Sequence, residues 1–362
     1  MAPHNDRVRA AVDRIDRLHA LMEVDLSEAR GGFGWWYGYF DQPRVIFASD
    51  YLLQITGQMR NMLNMAAWHE TAFNEAWYAE TTWLRQHANR GVDPFTMRGD
   101  PEEKRAARID AALTGFFQAC GSSLDFLAAC TIGVLGIAAD LVTASWTTVT
   151  AAKTGPDKVR RNLLAGEDSP ARILQDDAIS NILTAFDRQP SGWLTWALDM
   201  RNVMIHRAHR FELRRFYRRS QRDELQYVLH LPKNPQLTDA EAFVLGEQPQ
   251  DLLLWEHAGT TMSGVLDNLI GAATQTVDLL YDIWQRRRND PALLAQPDAQ
   301  WKKVYPERRD LSLFGGFGAE VAPVGNEQVH VPPATARRLR AAKLLDSGRP
   351  YWVRALTFPG GA

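Results

Sequence analysis

Apolar positions at Val8, Val12, Ile15, Leu18, Leu21 and Met22 recur at helical spacing with Arg and Asp between them. This predicts an amphipathic helix over residues 6–30. Gly31-Gly32 stops it, and the stretch GGFGWWYGYFDQPRVIFA predicts a packed loop leading to a short extended segment at 44–48, with Asp50 as a helix cap. From there to about residue 87 the series Leu52, Leu53, Ile55, Met59, Met62, Leu63, Ala66, Ala67, Phe73, Trp77, Trp83, Leu84 predicts one or two long helices. GVDPFTMRGDP breaks the pattern. Residues 101–152 then resume as a long Ala-rich helix, charged at first and apolar on all sides later, as expected of a central helix. Residues 153–170 read as a turn, a short helical piece and a loop. Two further helices are predicted at 171–187 and 191–210, divided by Gln189-Pro190-Ser191-Gly192. The period then changes: FELRRFY and ELQYVLHLP are rich in β-formers and predict a small hairpin near 211–232. Helix returns from about 256 to 288. The remainder mixes FGGFG, VPP and RPYW with one short helix around 335–345 and predicts an irregular tail packed on the helices.

The fold class expected is therefore all-α, a helical bundle with a small β-hairpin insertion and an irregular C-terminal tail. Its expected parts are an N-terminal helix and aromatic loop (1–48), the bundle (49–290) and the tail (291–362). The 362 residues are 45% hydrophobic and 23% charged, ordinary globular usage that can bury a sizeable core. Formal charge is −2, so no global field favours nucleic acid or membrane and any electrostatic argument must be local. Cys120 and Cys130 are too few for a disulfide framework or a Cys-based zinc site, which points to a reduced cytoplasm. The N-terminus has no apolar signal region. The best membrane candidate, FLAACTIGVLGIAA at 126–139, is bracketed by Asp125 and Asp140 and has the length of a buried core helix rather than a span.

One segment of the late helix is unusual. DMRNVMIHRAHR, residues 199–210, places Arg, Asn and two His among apolar residues, and Arg201-Asn202-Val203-Met204-Ile205-His206 has the form R-N-x-x-x-H. The bare spacing is permissive, since Arg14-Ile15-Asp16-Arg17-Leu18-His19 also satisfies it. That earlier match has charges in the gap and no Asn, and reads as a solvated amphipathic face. The later match resembles the signature of the HEPN superfamily, helical-bundle proteins of which many are metal-independent endoribonucleases in toxin–antitoxin, abortive-infection and CRISPR-type systems. The family places its motif in a late helix with a polar residue directly after the Arg, as here. The helix QACGSSLDFLAA, 118–129, also looks like the core helix that packs beside the motif helix. The resemblance spans about residues 50–290. It implies Arg201 and His206 as catalytic residues, Asn202 in support, RNA as substrate, no metal or other cofactor, and a homodimer that brings two motifs together. A role as toxin or anti-phage effector, restrained by an antitoxin or defence partner, also follows from it.

The chemistry needs these residue types. Metal-free RNA cleavage requires a base for the 2′-OH proton, an acid for the leaving 5′ oxygen and a cation for the phosphorane. Histidine titrates near neutrality, and arginine stays charged and grips phosphate oxygens with two donors. At about 100° per residue Asp199, Asn202, His206, His209 and Arg210 share one stripe, while Arg201 sits about 140° from His206. Either the helix is irregular there, or Arg201 reaches around, or the site is assembled across a dimer. Asp199 is an alternative orienting partner for His206. From Arg201 to Arg222 there are eight arginines against the single acid Glu212. Arg207, His209, Arg210, Arg214 and Arg215 are the candidate RNA contacts, with Phe211, Phe216 and Tyr217 available to stack on bases. A solvated face or a contact with an acidic partner explains the same run, and a non-catalytic module binding RNA, nucleotide or protein explains the same stripe.

Other features carry less. FGGFG at 314–318 lacks the spacing of a phosphate-binding loop, and His69-Glu70 has no second His at metalloprotease spacing. Trp68, Trp77, Trp83, Trp193 and Trp196 recur at helical intervals and are expected in the core.

Overall fold

Pro43 enters a helix where its missing N–H is no loss, in the first turn. In the computed structural model, which describes residues 6–25, 42–90, 98–206, 212–217, 225–246 and 248–293, that turn opens α2 (Gln42–Asn89). The extended segment expected at 44–48 is thus helical, and Asp50 lies inside α2 rather than at its start, its carboxylate accepting from Gln54. Among the described residues no strand is placed to pair with 44–48, whereas a helix satisfies the backbone within the segment itself.

α1 (Arg9–Asp25) precedes α2 and buries Val12, Ile15, Leu18 and Met22, as the spacing requires. α3 (Asp100–Leu135) carries Asp100, Glu102 and Glu103 in its first turn, where carboxylates complement the unpaired N–H groups. Glu102 also accepts from the Gly99 N–H at 2.9 Å. The single helix expected over 101–152 is interrupted. Gly136 adopts φ 68°, Ile137 N–H turns back to the Ile132 carbonyl at 3.1 Å, and a 3-10 turn at Leu141–Thr143 intervenes before α4 (Trp146–Thr154). Left-handed backbone is open to glycine at little cost, so Gly136 ends the helix despite the continuing apolar run. By length and composition α3 is the one described helix able to cross a membrane, and 78% of its most apolar window is buried inside the protein.

α5 (Asp157–Leu163), α6 (Pro170–Phe186) and α7 (Trp193–His206) follow, then the antiparallel strands β1 (Leu213–Tyr217) and β2 (Gln226–His230). Two short helices, α8 (Asp239–Leu245) and α9 (Pro249–Leu252), lead to α10 (Ala258–Asn289). The protein is mostly helical, 77% helix and 5% strand over the described residues, with the expected small hairpin. The loop expected at 31–43 (its described part apart), the glycines at 314–318 and the tail with its helix near 335–345 lie outside those residues.

The chain forms two compact units, and α1, α2, α3, α6 and α10 contribute to both. The first comprises 1–15, 58–125 and 181–276. Its core includes Phe73, Trp77, Phe116, Phe117, Met200 and Leu266. Arg7 joins three stretches of it, bonding Glu70, Asp267 and the Ser263 carbonyl and hydroxyl. The second comprises 16–57, 126–180 and 277–362. There Gln175 donates to the Leu135 and Gly136 carbonyls at 3.0 and 3.1 Å, satisfying the broken end of α3. Asp25 accepts from the Trp284 indole at 2.8 Å and pairs with Arg288 at 3.2 Å. Of the tryptophans expected in the core, Trp77 and Trp193 are buried and Trp83 and Trp196 half-buried. Trp68 is instead 50% exposed, on the outer side of α2.

Candidate functional site

α7 and the hairpin both belong to the first unit. The inner side of α7 is set by Trp193, Ala197, Met200 and Val203, all buried. Trp196 meets Phe117 of α3 edge-on at 5.6 Å and donates its indole N–H to the Pro232 carbonyl at 2.9 Å. The part of α3 within this unit thus flanks α7 at Phe117, and within 118–129 it does so at Gly121 and Asp125, which meet Arg201.

Arg201 points toward α3. Its Nη1 lies 3.0 Å from Oδ2 of Asp125, both side chains about a quarter exposed, and its stem crosses the backbone at Gly121. A Cβ built on Gly121 would fall 2.2 Å from the Arg201 Cδ, so a glycine is what lets the arginine lie there. The Arg201 Nε is buried and finds no hydrogen-bond partner among the described residues. Asn202, the next residue, is exposed, and Asp199 accepts from Gln236 Nε2 at 2.8 Å. Arg201 and Asn202 thus leave the helix in different directions, as the helical angle demands. His206 closes α7; its side chain, and the whole of Arg207, His209 and Arg210, lie outside the described residues. The structure accordingly brings Arg201 to Asp125 and Asp199 to Gln236.

The hairpin divides the basic run between two faces, because successive strand residues point to opposite sides. Arg214 and Phe216 of β1 share one face with Tyr227 and Leu229 of β2. This face packs inward. Tyr227 stacks on Trp77 of α2 at 4.5 Å and 3°, and the Trp77 indole donates to the Tyr227 carbonyl at 3.2 Å. Arg214 is committed to carboxylates, Asp110 at 2.9 Å and Glu212 at 3.2 Å. Burial opposes its charge, but those two carboxylates outweigh burial and raise its pKa. Arg215 and Tyr217 lie on the other face with Val228 and His230. The Arg215 guanidinium sits 4.1 Å over the Tyr217 ring and 4.8 Å over Trp255.

Asp125, Gly121 and Trp255 were not legible as site residues. The only sequence signal for the first two was the notion that 118–129 flanks the motif helix, and Trp255 lies in a connection without periodicity. Among the described residues no group of three or more His, Cys, Asp or Glu side chains is arranged to hold a metal ion. Both cysteines are buried free thiols, and burial pushes the Cys130 thiol up to about 11. Set against models of known protein families, curated proteins and solved structures, the chain matches none of them.

Proposed function

We propose that the chain is a metal-independent endoribonuclease of the HEPN type, acting as a homodimer, with Arg201 and His206 catalytic and Asn202 in support. One observation carries this reading: the R-N-x-x-x-H segment ends α7, with Arg201 seated over a glycine and held at one nitrogen by Asp125 while its Nε has no described partner. A guanidinium has five N–H donors, so an orienting carboxylate at one nitrogen leaves others for phosphate oxygens. In the reaction His206 takes the 2′-OH proton of a ribose. The 2′ oxygen attacks phosphorus, the P–O5′ bond breaks, and an acid protonates the leaving oxygen, giving a 2′,3′-cyclic phosphate and a 5′-OH. A second His206 across a two-fold axis is the economical source of that acid. Arg201 offsets the charge that builds on the phosphorane. The toxin or defence role rests on the family resemblance.

Total RNA incubated with the purified protein in EDTA should acquire 2′,3′-cyclic phosphate ends. His206→Ala and Arg201→Ala should each lower the rate by about 10²–10⁴-fold with the circular dichroism spectrum unchanged. Equal cleavage by His206→Ala would end the proposal. The Arg201–Asp125 ion pair favours a second reading, a non-catalytic module in which Arg201 serves structure. That reading is chosen if the wild-type protein binds RNA and cuts none.

A further inference from the structure

The outer face of the hairpin is partly roofed by a segment far along the chain. Residues 252–254 run antiparallel beside 231–233: Pro232 bridges Leu253, Lys233 N–H donates to Leu252 and Leu254 N–H to Leu231, both at 2.8 Å. This pairing carries Trp255, Glu256 and His257 over the strands and encloses an open pocket of about 400 Å³, lined also by Arg215, Tyr217 and His230. The volume falls in the range of small-molecule sites.

Its walls are flat and polar-edged. Trp255 is 51% exposed, with the His230 ring stacked on it at 4.8 Å and 16°. His230 is only 3% exposed. Its Nδ1 lies 3.0 Å from the Leu254 carbonyl, which can only accept, so Nδ1 carries the hydrogen. Its Nε2 is buried at the pocket wall with no hydrogen-bond partner among the described residues, as is Nε of Arg215. Such orphaned atoms are costly unless a ligand meets them. His257 behaves differently: its Nδ1 accepts from Leu229 N–H at 3.3 Å, and burial pushes its pKa down to about 4, so the neutral ring carries its hydrogen on Nε2. Glu256 is engaged by the Thr261 hydroxyl at 2.7 Å. The pocket thus offers a half-exposed indole surface, a guanidinium packed on Tyr217 and Trp255, and an imidazole nitrogen in its wall without a partner among the described residues.

We propose that this pocket binds one unpaired nucleotide, its base stacked on the exposed part of the Trp255 indole and its phosphate on the Arg215 edge. Aromatic rings and guanidinium planes are the usual platforms for unpaired bases, and the guanidinium fork matches phosphate. The larger purine ring covers more of the indole, which favours adenine over uracil. The inference deepens the RNA reading by naming the feature of the strand that is held; it rests on that reading only for the strand as the source, since a free nucleotide has the same chemistry.

Binding is measured by fluorescence titration in EDTA, on the full chain carrying His206→Ala so that no RNA is cut, with ribonucleoside 5′-monophosphates in one arm and single-stranded RNA hexamers in the other. Saturable binding in either arm is expected, oligo(A) tighter than oligo(U), and it should weaken about tenfold or more in Trp255→Ala and in Arg215→Gln, with partial recovery in Trp255→Phe. Binding of monophosphates supports a free-nucleotide ligand, and binding of hexamers alone supports a strand. No binding in either arm, or affinities unchanged by both Trp255→Ala and Arg215→Gln, overturns the proposal. Trp255 is half exposed, so its replacement leaves the core intact, and circular dichroism checks this. The cleavage assay stands apart: a protein that binds here but cuts nothing retains the pocket and loses the nuclease, and one that cuts while Trp255→Ala binds normally does the reverse.

Discussion

Gly121 and Asp125 are one helical turn apart on α3, and together they decide where Arg201 goes: the glycine leaves room for its stem and the carboxylate takes its Nη1. Gly121→Ala puts a methyl group where the Arg201 Cδ lies, yet alanine is about 1 kcal/mol better than glycine inside a helix. The arginine is partly exposed and can swing away, so stability by urea unfolding should change by no more than about 1 kcal/mol. RNA cleavage should fall nearly as far as in Arg201→Ala. Unaltered cleavage would show that the seat of Arg201 is irrelevant to activity. Because the ion pair is partly exposed, a double-mutant cycle between Arg201→Ala and Asp125→Asn should give a coupling of about 1 kcal/mol or less. The residue types of this site could be read from R-N-x-x-x-H. Asp125 could not, because nothing in the chain's local order marks which of the many carboxylates meets a given arginine.

Elements show where periodicity misleads. The apolar run after Leu127 continues smoothly through Ile137, so pattern alone extends α3, whereas Gly136 at φ 68° ends it. Gly136→Ala forces a Cβ into left-handed backbone and should cost about 1–2 kcal/mol, read as a lower urea midpoint with the slope unchanged. A neutral substitution would mean that the turn relaxes into another conformation. The converse holds at 44–48, where the Gly- and aromatic-rich stretch predicts a loop running into an extended segment and α2 runs through instead. A five-residue stretch has too little length for its period to arbitrate, and helix wins where no partner strand is at hand. The hairpin is legible because its two segments are rich in β-formers, but that composition does not reveal that Arg214 faces carboxylates and Arg215 an open pocket.

At the scale of the whole molecule, pH reports on the packed first unit. The His257 ring lies 4.8 Å from Trp77 and 5.8 Å from Phe73, and burial lowers its pKa from 6.5 to about 4. The unfolded chain therefore takes up this proton first as pH falls. Folding stability from this group is complete above about 6.5, is lost progressively down to about 4 and changes no further below, by up to about 3 kcal/mol. Chemical denaturation of the wild type across that window should show the loss, and His257→Gln should lack it while being less stable at neutral pH for want of the ring. Parallel pH profiles for the two proteins would assign the loss elsewhere, for instance to His69, whose pKa burial also lowers.

By itself the order of residues determined that this is a helical protein with one small hairpin, that α7 carries an R-N-x-x-x-H segment, and that positive charge follows it. Those properties depend on neighbours within a few turns, so a short window of sequence contains them. The tertiary structure alone decided that Arg201 meets Asp125, that Arg214 pairs with two carboxylates while Arg215 has none among the described residues, and that Trp255 comes to lie over β1 and β2. Such pairings are set by how whole elements pack, and the contacts join residues distant along the chain that no local period connects.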